Sequence, residues 1–111
     1  MSEHIANVKW ERGNQVFSDG KYARKHLISF DGGFSIAGAP NPMIKPPLGA
    51  LDAADPEELL VAALSSCHML WFLDLARRAG FVVNSYNDDP IGIMGKDENS
   101  KISITKITLN P

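Results

Sequence analysis

The sequence predicts an α+β fold in which three antiparallel strands precede one long helix and two further strands follow it. Short apolar segments separated by glycine-containing turns fill the first 37 residues, and a long, mostly apolar stretch with helix-capping residues at its ends comes later. The chain has 111 residues, of which 44% are hydrophobic and 22% charged. Because this is close to the commonest domain size, we expect a single domain over residues 1–111.

The N-terminal part reads as a small antiparallel sheet. Val8 and Trp10 alternate with polar neighbours, and the turn sequence at residues 12–14 predicts a first hairpin. A second turn at residues 31–33 contains two glycines and predicts another reversal of the chain. The predicted strand segments are residues 8–10, 16–22, 26–30 and 34–36.

Residues 38–55 have a different composition from the segments on either side. Pro40, Pro42, Pro46, Pro47 and Gly49 exclude regular structure, because proline fixes φ and has no backbone donor. An irregular segment of this length is uncommon inside a compact domain. We therefore expect either a functional loop or a simple surface crossing.

The helix that follows has clear ends. Asp55 can cap it, Pro56 suits its first position, and two glutamates lie at the positive end of its dipole. Arg77 and Arg78 complement the negative end, and Gly80 can close the helix in the left-handed conformation. Residues 59–75 are apolar on nearly every side, which predicts a buried central helix.

Strand-like segments return after the helix, at residues 81–83, 91–94 and 101–109, with a turn at residues 97–100. The coarse order is therefore β-β-β, long helix, β-β. Such an arrangement leaves one face of the second sheet uncovered. Either a partner chain covers that face or the C-terminal part of a longer domain is missing.

Composition excludes several classes of function. The net charge is −2 and the basic residues are scattered, so we expect no nucleic-acid partner. Charged and polar residues interrupt the apolar stretch at residues 59–79, and the N-terminus lacks a secretory pattern, so we expect neither a membrane span nor export. A single cysteine allows no intrachain disulfide, which favours a cytoplasmic location. One cysteine also supplies too few ligands for a typical zinc site, so we expect no metal and no cofactor.

The single cysteine, Cys67, lies in the middle of the predicted helix and allows two interpretations. It can pack as a small hydrophobic core residue. It can instead be a reactive thiol, which needs a nearby cation to hold it as thiolate. The helix N-terminus is about ten residues away and His68 projects about 100° around the axis, so the cation must come from another segment. The candidates are Arg12 and Arg24, followed by Lys25 and His26.

Several helix residues also have a structural and a functional interpretation. Glu57 lies about 15 Å along the axis from Cys67, so it is either a first-turn dipole residue or the partner of an arginine that reaches the thiol. Asp74 is expected to form a structural ion pair with Arg77 or Arg78. The residues around the cysteine are either core or an apolar wall for an organic substrate; they are His68, Met69, Trp71 and Phe72.

Residues 55–70, Asp-Pro-Glu-Glu-Leu-Leu-Val-Ala-Ala-Leu-Ser-Ser-Cys-His-Met-Leu, closely resemble the first-cysteine helix of the OsmC/Ohr family (osmotically inducible protein C and organic hydroperoxide resistance). The resemblance continues through residues 71–80, and extends upstream to residues 22–26 and 30–33 and downstream to residues 104–109. It implies an OsmC-like fold and an intertwined homodimer. It also implies a thiol-dependent peroxidase that reduces organic hydroperoxides in defence against oxidative stress.

The resemblance further implies a role for each site residue. Cys67 matches the peroxidatic cysteine and Glu57 the glutamate that orients an arginine. Arg24 is expected to be that arginine, with Arg12 as the competing position. The apolar wall for the substrate is assigned to His68, Trp71 and Phe72.

Members of that family continue further, through another strand and a helix that carries a second, resolving cysteine, whereas this sequence ends at Pro111. Three explanations are open: a fragment, a short one-cysteine version that uses an external thiol or dithiol reductant, or a remnant that keeps only the fold. The last would be a non-catalytic dimeric binding or scaffold module.

Overall fold

The computed structural model describes residues 2–40, 49–96 and 102–110, with side chains omitted for residues 102–103. Strands β1 (Ala6–Lys9), β2 (His26–Phe30) and β3 (Ser35–Gly38) precede helix α1 (Pro56–Arg78), which is followed by β4 (Ile91–Lys96) and β5 (Ile102–Thr108). This order confirms the predicted α+β arrangement. The chain divides into two compact units, Met1–Pro56 and Glu57–Pro111.

The first unit is built on an antiparallel sheet in the order β1-β2-β3. Ile28 in the central strand lies opposite Val8 on one side and Ile36 on the other. The β2–β3 hairpin is as predicted, and Gly33 occupies its turn with a φ of 80°, a conformation that glycine adopts at little cost.

The predicted first hairpin is wrong, because residues 16–22 form turns and β1 pairs directly with β2. Two positive-φ glycines, Gly13 and Gly20, let the connecting segment fold on itself. The side chain of Gln15 then closes the loop: its Oε1 accepts from the Ala23 backbone N at 2.6 Å and its Nε2 donates to the Arg12 carbonyl at 3.1 Å. These bonds satisfy backbone groups that a strand partner would otherwise take.

Backbone hydrogen bonds join the two ends of the segment at residues 38–55. The Ala39 N–H donates to the Ala54 carbonyl at 3.0 Å, and the Ala54 N–H donates to the Ala37 carbonyl at 2.9 Å. Lys25 Nζ also forms an ion pair with Asp52 Oδ2 at 2.8 Å. The expectation of irregular structure at Pro42, Pro46 and Pro47 falls outside the described residues.

Helix α1 begins and ends where its capping residues predict. Its C-terminus has the Schellman pattern, in which the Phe81 N–H donates to the Ala76 carbonyl at 2.9 Å and the Gly80 N–H donates to the Arg77 carbonyl at 3.1 Å. Gly80 supplies the required left-handed residue, with a φ of 88°.

In the second unit, α1 approaches β4 closely at Gly92. Val61, which is 7% exposed, approaches Gly92 so closely that a Cβ there would lie 2.5 Å from Val61 Cγ2. The strand predicted at residues 81–83 is wrong: this stretch is irregular and its apolar side chains are largely exposed. The turn predicted at residues 97–100 and Lys101 lie outside the described residues.

The prediction of a helix buried on all sides is not met by the described part of this chain. Within α1 only Val61 and Ser65 are buried. The helix stays exposed because the sheet of this unit is narrow: two strands about 4.8 Å apart cannot surround a helix about 10 Å across. By length and composition α1 is also apolar enough to cross a membrane, a property that the central helices of soluble proteins share.

Candidate functional site

Cys67 is a free thiol that is exposed on α1. Large apolar side chains share its side of the helix, because helical residues spaced by three or four positions lie on one face. We call this surface the Cys67 face; it comprises Leu60, Leu64, Cys67, Trp71 and Leu75. Trp71 is 64% exposed and Leu60 52%. The thiol is therefore accessible, and the described part of the chain does not bury it in a core.

The other side of α1 is held by residues 84–90. Ser65 Oγ donates a short hydrogen bond to Asp88 Oδ2, and the second oxygen of the same carboxylate accepts from the Asn110 backbone N at 2.6 Å. The Phe72 and Tyr86 rings lie 5.8 Å apart at 47°. Asp88 therefore joins the middle of α1 to the residues that follow β5.

The three predicted substrate-wall residues have different surroundings. Trp71 lies on the Cys67 face, whereas Phe72 contacts Tyr86 and lies toward residues 84–90. His68 is exposed. Only Trp71 therefore shares the surface on which an apolar molecule would meet the thiol in this unit.

A groove of about 290 Å³ runs between α1 and residues 84–90. The Tyr86 hydroxyl is buried there without a hydrogen-bond partner in the described part of the chain. Its lining residues are Ala62, Ser65, Ser66, Met69, Tyr86, Asn87, Asp88 and Pro90. The sequence did not predict this groove. The polar residues at 84–89 did indicate a loop after the helix, because their side chains can form hydrogen bonds with the loop backbone.

Asp74 forms ion pairs with two arginines near the end of α1. Asp74 Oδ1 lies 3.2 Å from Arg77 Nη2, and Asp74 Oδ2 lies 3.0 Å from Arg78 Nε. This confirms the structural role predicted for Asp74. Cys67 makes no hydrogen bond or ion pair with any residue that the structure describes. Glu57 lies half-buried in the first turn of α1.

Arg24, in the first unit, is held by its own loop. Its Nη1 donates to the Gly20 carbonyl at 3.2 Å and to the Tyr22 carbonyl at 3.3 Å, and its guanidinium carbon lies 4.1 Å from the centroid of the Tyr22 ring. The competing residue Arg12 accepts two hydrogen bonds from Gln15 through its carbonyl. Of the two arginines, Arg24 therefore has the more constrained guanidinium.

Residues 2–40, 49–96 and 102–110 contain no group of three or more His, Cys, Asp or Glu side chains that could hold a metal ion. The second unit presents a single accessible thiol on an apolar helix face. The first unit separately holds a constrained guanidinium at Arg24.

Neither a family model nor a curated protein matches the chain. A solved structure does match: an OsmC-like protein of unknown function from Vibrio cholerae O1 biovar eltor, with 47% sequence identity and a TM-score of 0.94. The match covers 98% of this chain and 72% of that one. The chain belongs to the OsmC-like family. Membership confirms the resemblance found in the helix sequence, and the order of strands around α1 is that of the OsmC-like fold.

Proposed function

We propose that this OsmC-like protein is a thiol-dependent peroxidase that reduces organic hydroperoxides through Cys67. One observation carries the proposal: the chain's single thiol is accessible at the centre of an otherwise apolar helix face. A hydroperoxide with an organic group can lie on such a surface and present its oxygens to sulfur, whereas hydrogen peroxide gains nothing from the apolar contact.

The proposed reaction oxidises sulfur by two electrons. The Cys67 thiolate attacks the terminal oxygen of R–O–O–H, a sulfur–oxygen bond forms and the oxygen–oxygen bond breaks. The products are cysteine sulfenic acid and an alkoxide, which takes up a proton to become the alcohol. An external thiol then condenses with the sulfenic acid and releases water, and a second thiol, or the other half of a dithiol, restores Cys67.

Arg24 is proposed to hold Cys67 as thiolate and to stabilise the leaving oxygen, with Glu57 orienting the guanidinium. The constraint on Arg24 supports this choice over Arg12, because a fixed guanidinium loses little side-chain entropy when it acts. Trp71, Phe72 and His68 are proposed as the substrate wall, and Trp71 has the firmest support because it shares the Cys67 face.

The exposed Cys67 face also supports the proposed homodimer. Leu64, Trp71 and Leu75 are each at least 45% exposed, and a continuous apolar face of this kind is typically covered by another surface. We propose that a second copy of the chain covers part of this face and leaves Cys67 accessible beside the covered part. A cytoplasmic location, where thiol reductants are available, completes the proposal.

A non-catalytic dimeric binding or scaffold module is the second candidate. It is favoured by one observation, that Cys67 has no hydrogen bond or ion pair with the residues that the structure describes. A thiol without such a partner is a weak nucleophile at neutral pH.

The deciding experiment measures how fast Cys67 is oxidised by tert-butyl hydroperoxide, followed by mass spectrometry as the gain of one oxygen and trapped with a sulfenic-acid reagent. We expect a rate far above that of free cysteine, and none in Cys67→Ser. Replacing Arg24 with Met should slow the reaction roughly tenfold or more, because the leaving oxygen loses a charged hydrogen-bond donor. Arg12→Met is the matched control. A rate equal to that of free cysteine would reject the peroxidase in favour of the binding module.

A further inference from the structure

Three aromatic side chains and one guanidinium come together in the loop between β1 and β2. The Phe17 and Tyr22 rings stack with centroids 4.7 Å apart at 17°, and the Trp10 ring tilts against both, at 5.3 Å from Tyr22 and 6.2 Å from Phe17. Together with Arg24 they line a groove of about 330 Å³, which we call the aromatic groove. All four residues belong to the first unit, so a ligand of this groove needs nothing from α1.

Hydrogen bonds hold the walls of the aromatic groove in place. Trp10 Nε1 donates to the Ala23 carbonyl at 2.9 Å, and Gln15 Oε1 accepts from the Ala23 backbone N at 2.6 Å. The Arg24 guanidinium is fixed by two carbonyls that accept from Nη1, and by the Tyr22 ring, whose centroid lies 4.1 Å from the guanidinium carbon. A groove that is already ordered loses little conformational entropy when a ligand enters.

The charge in the aromatic groove favours an anion. The two carbonyl contacts of Arg24 use Nη1 alone, which leaves Nε and Nη2 as donors for a ligand. The ion pairs among the described residues join other side chains, and Arg24 takes part in none of them. Two parallel N–H groups on one edge of a guanidinium match the two oxygens of a carboxylate. Aromatic rings alone would also suit a cation, but here a cation would meet the Arg24 charge.

The rings of the aromatic groove favour an aromatic group attached to that anion. Phe17 is 53% exposed and Trp10 36%, so each presents ring surface that the described residues leave uncovered. A ligand ring that pairs with these surfaces gains an aromatic contact in addition to burying apolar area. Pockets for small molecules begin at about 300 Å³, so a groove of about 330 Å³ suits one ring with a short acidic side chain.

We infer that the aromatic groove is a binding site for a small aromatic carboxylate. Its carboxylate accepts from Nε and Nη2 of Arg24, and its ring lies against Phe17 and Trp10. The inference goes beyond the proposed function, since it involves neither Cys67 nor any reaction of the ligand. It gives the first unit a recognition role of its own, which the chain keeps even if the thiol is inert.

The test is a titration of the full chain with phenylacetate, followed by ¹H–¹⁵N NMR of the two tryptophan indole groups. Trp10 lines the groove and Trp71 does not, and Trp71→Phe assigns the two signals. We expect the Trp10 signal to shift with a roughly millimolar dissociation constant, as suits a ligand of about ten non-hydrogen atoms. Cyclohexylacetate keeps the charge without the aromatic ring, and phenylacetamide keeps the ring without the charge. Each should bind roughly tenfold more weakly than phenylacetate.

Substitutions then locate the ligand. Arg24→Met removes the charge and the donors, and Phe17→Leu keeps apolar volume without the ring, so each should weaken phenylacetate binding roughly tenfold. Val16→Ala changes an exposed neighbour outside the groove and should bind as the wild type does. A Trp10 signal that phenylacetate does not move overturns the inference, as does equal affinity for the three compounds or unchanged affinity in either groove variant. The comparison of compounds uses the wild-type chain, so it decides the matter even if a variant fails to fold.

Discussion

Replacing Asp88 with Asn should destabilise the protein by about 2 kcal/mol. The Asp88 carboxylate accepts one hydrogen bond from buried Ser65 and one from the Asn110 backbone N. Bonds to a charged acceptor are worth about 1.5 to 3 kcal/mol each, and bonds between neutral groups about 1 kcal/mol. An asparagine can keep both contacts only as neutral bonds, with its Oδ1 accepting from the Asn110 N–H and its Nδ2 donating to the Ser65 hydroxyl. Each bond then weakens by about 1 kcal/mol, which gives about 2 kcal/mol in total.

The assay is equilibrium unfolding in urea at a fixed protomer concentration, because the proposed dimer would make stability concentration-dependent. Asp89→Asn is the matched control: Asp89 is exposed and its contact with Asn87 Nδ2 is 3.4 Å long, so less than about 0.5 kcal/mol is expected. Ser65→Ala completes a double-mutant cycle, in which Ser65 and Asp88 should couple by more than about 0.5 kcal/mol. Equal stability of the two Asp→Asn variants would refute the reasoning.

Two further predictions concern other polar side chains. The hydrogen bond from Lys25, and next the Lys25 charge, hold the pKa of Asp52 below its ordinary value of 3.8. The stabilisation of the fold by this pair is therefore present above that pH, and it is lost as the pH falls through the lower pKa of Asp52 in the folded state. Asp52→Asn should consequently be less stable than wild type at neutral pH, and a gap in unfolding midpoint that persists in strong acid would contradict this. Tyr86→Phe removes a buried hydroxyl that has no partner in the described residues, and should stabilise the protein by about 1 kcal/mol. A lower melting temperature would show that the hydroxyl has a partner.

The parts of the fold that the sequence predicted correctly depend on local chemistry. Both ends of α1 follow from residues whose effect is confined to one turn, Pro56 at the start and Gly80 at the close. The β2–β3 hairpin likewise follows from its own glycine turn. The first hairpin was wrong because residues 16–22 belong to a loop closed by the Gln15 side chain, which hydrophobic alternation does not reveal.

The site was predictable to a different degree at each residue. The position of Cys67 on the helix, and the pairing of Asp74 with arginine, follow from helical spacing alone. The sequence did not predict that the Cys67 face is exposed. An apolar helix is expected to be buried, and the sequence does not show that the sheet beside it is too narrow to cover it. The contact of the Trp10, Phe17 and Tyr22 rings was missed because they come together only through the loop that replaced the predicted strand.

Backbone hydrogen bonds join Ala39 to Ala54 and Ala54 to β3. The sheet therefore does not depend on how many residues lie between these two alanines. Because each doubling of a loop costs only about 0.6 kcal/mol in closure entropy, insertions or deletions between these two alanines can accumulate without disturbing strand register. The sequence between these alanines can thus be replaced during evolution. A peptide tag or a second binding sequence inserted there should leave β1, β2 and β3 folded as they are.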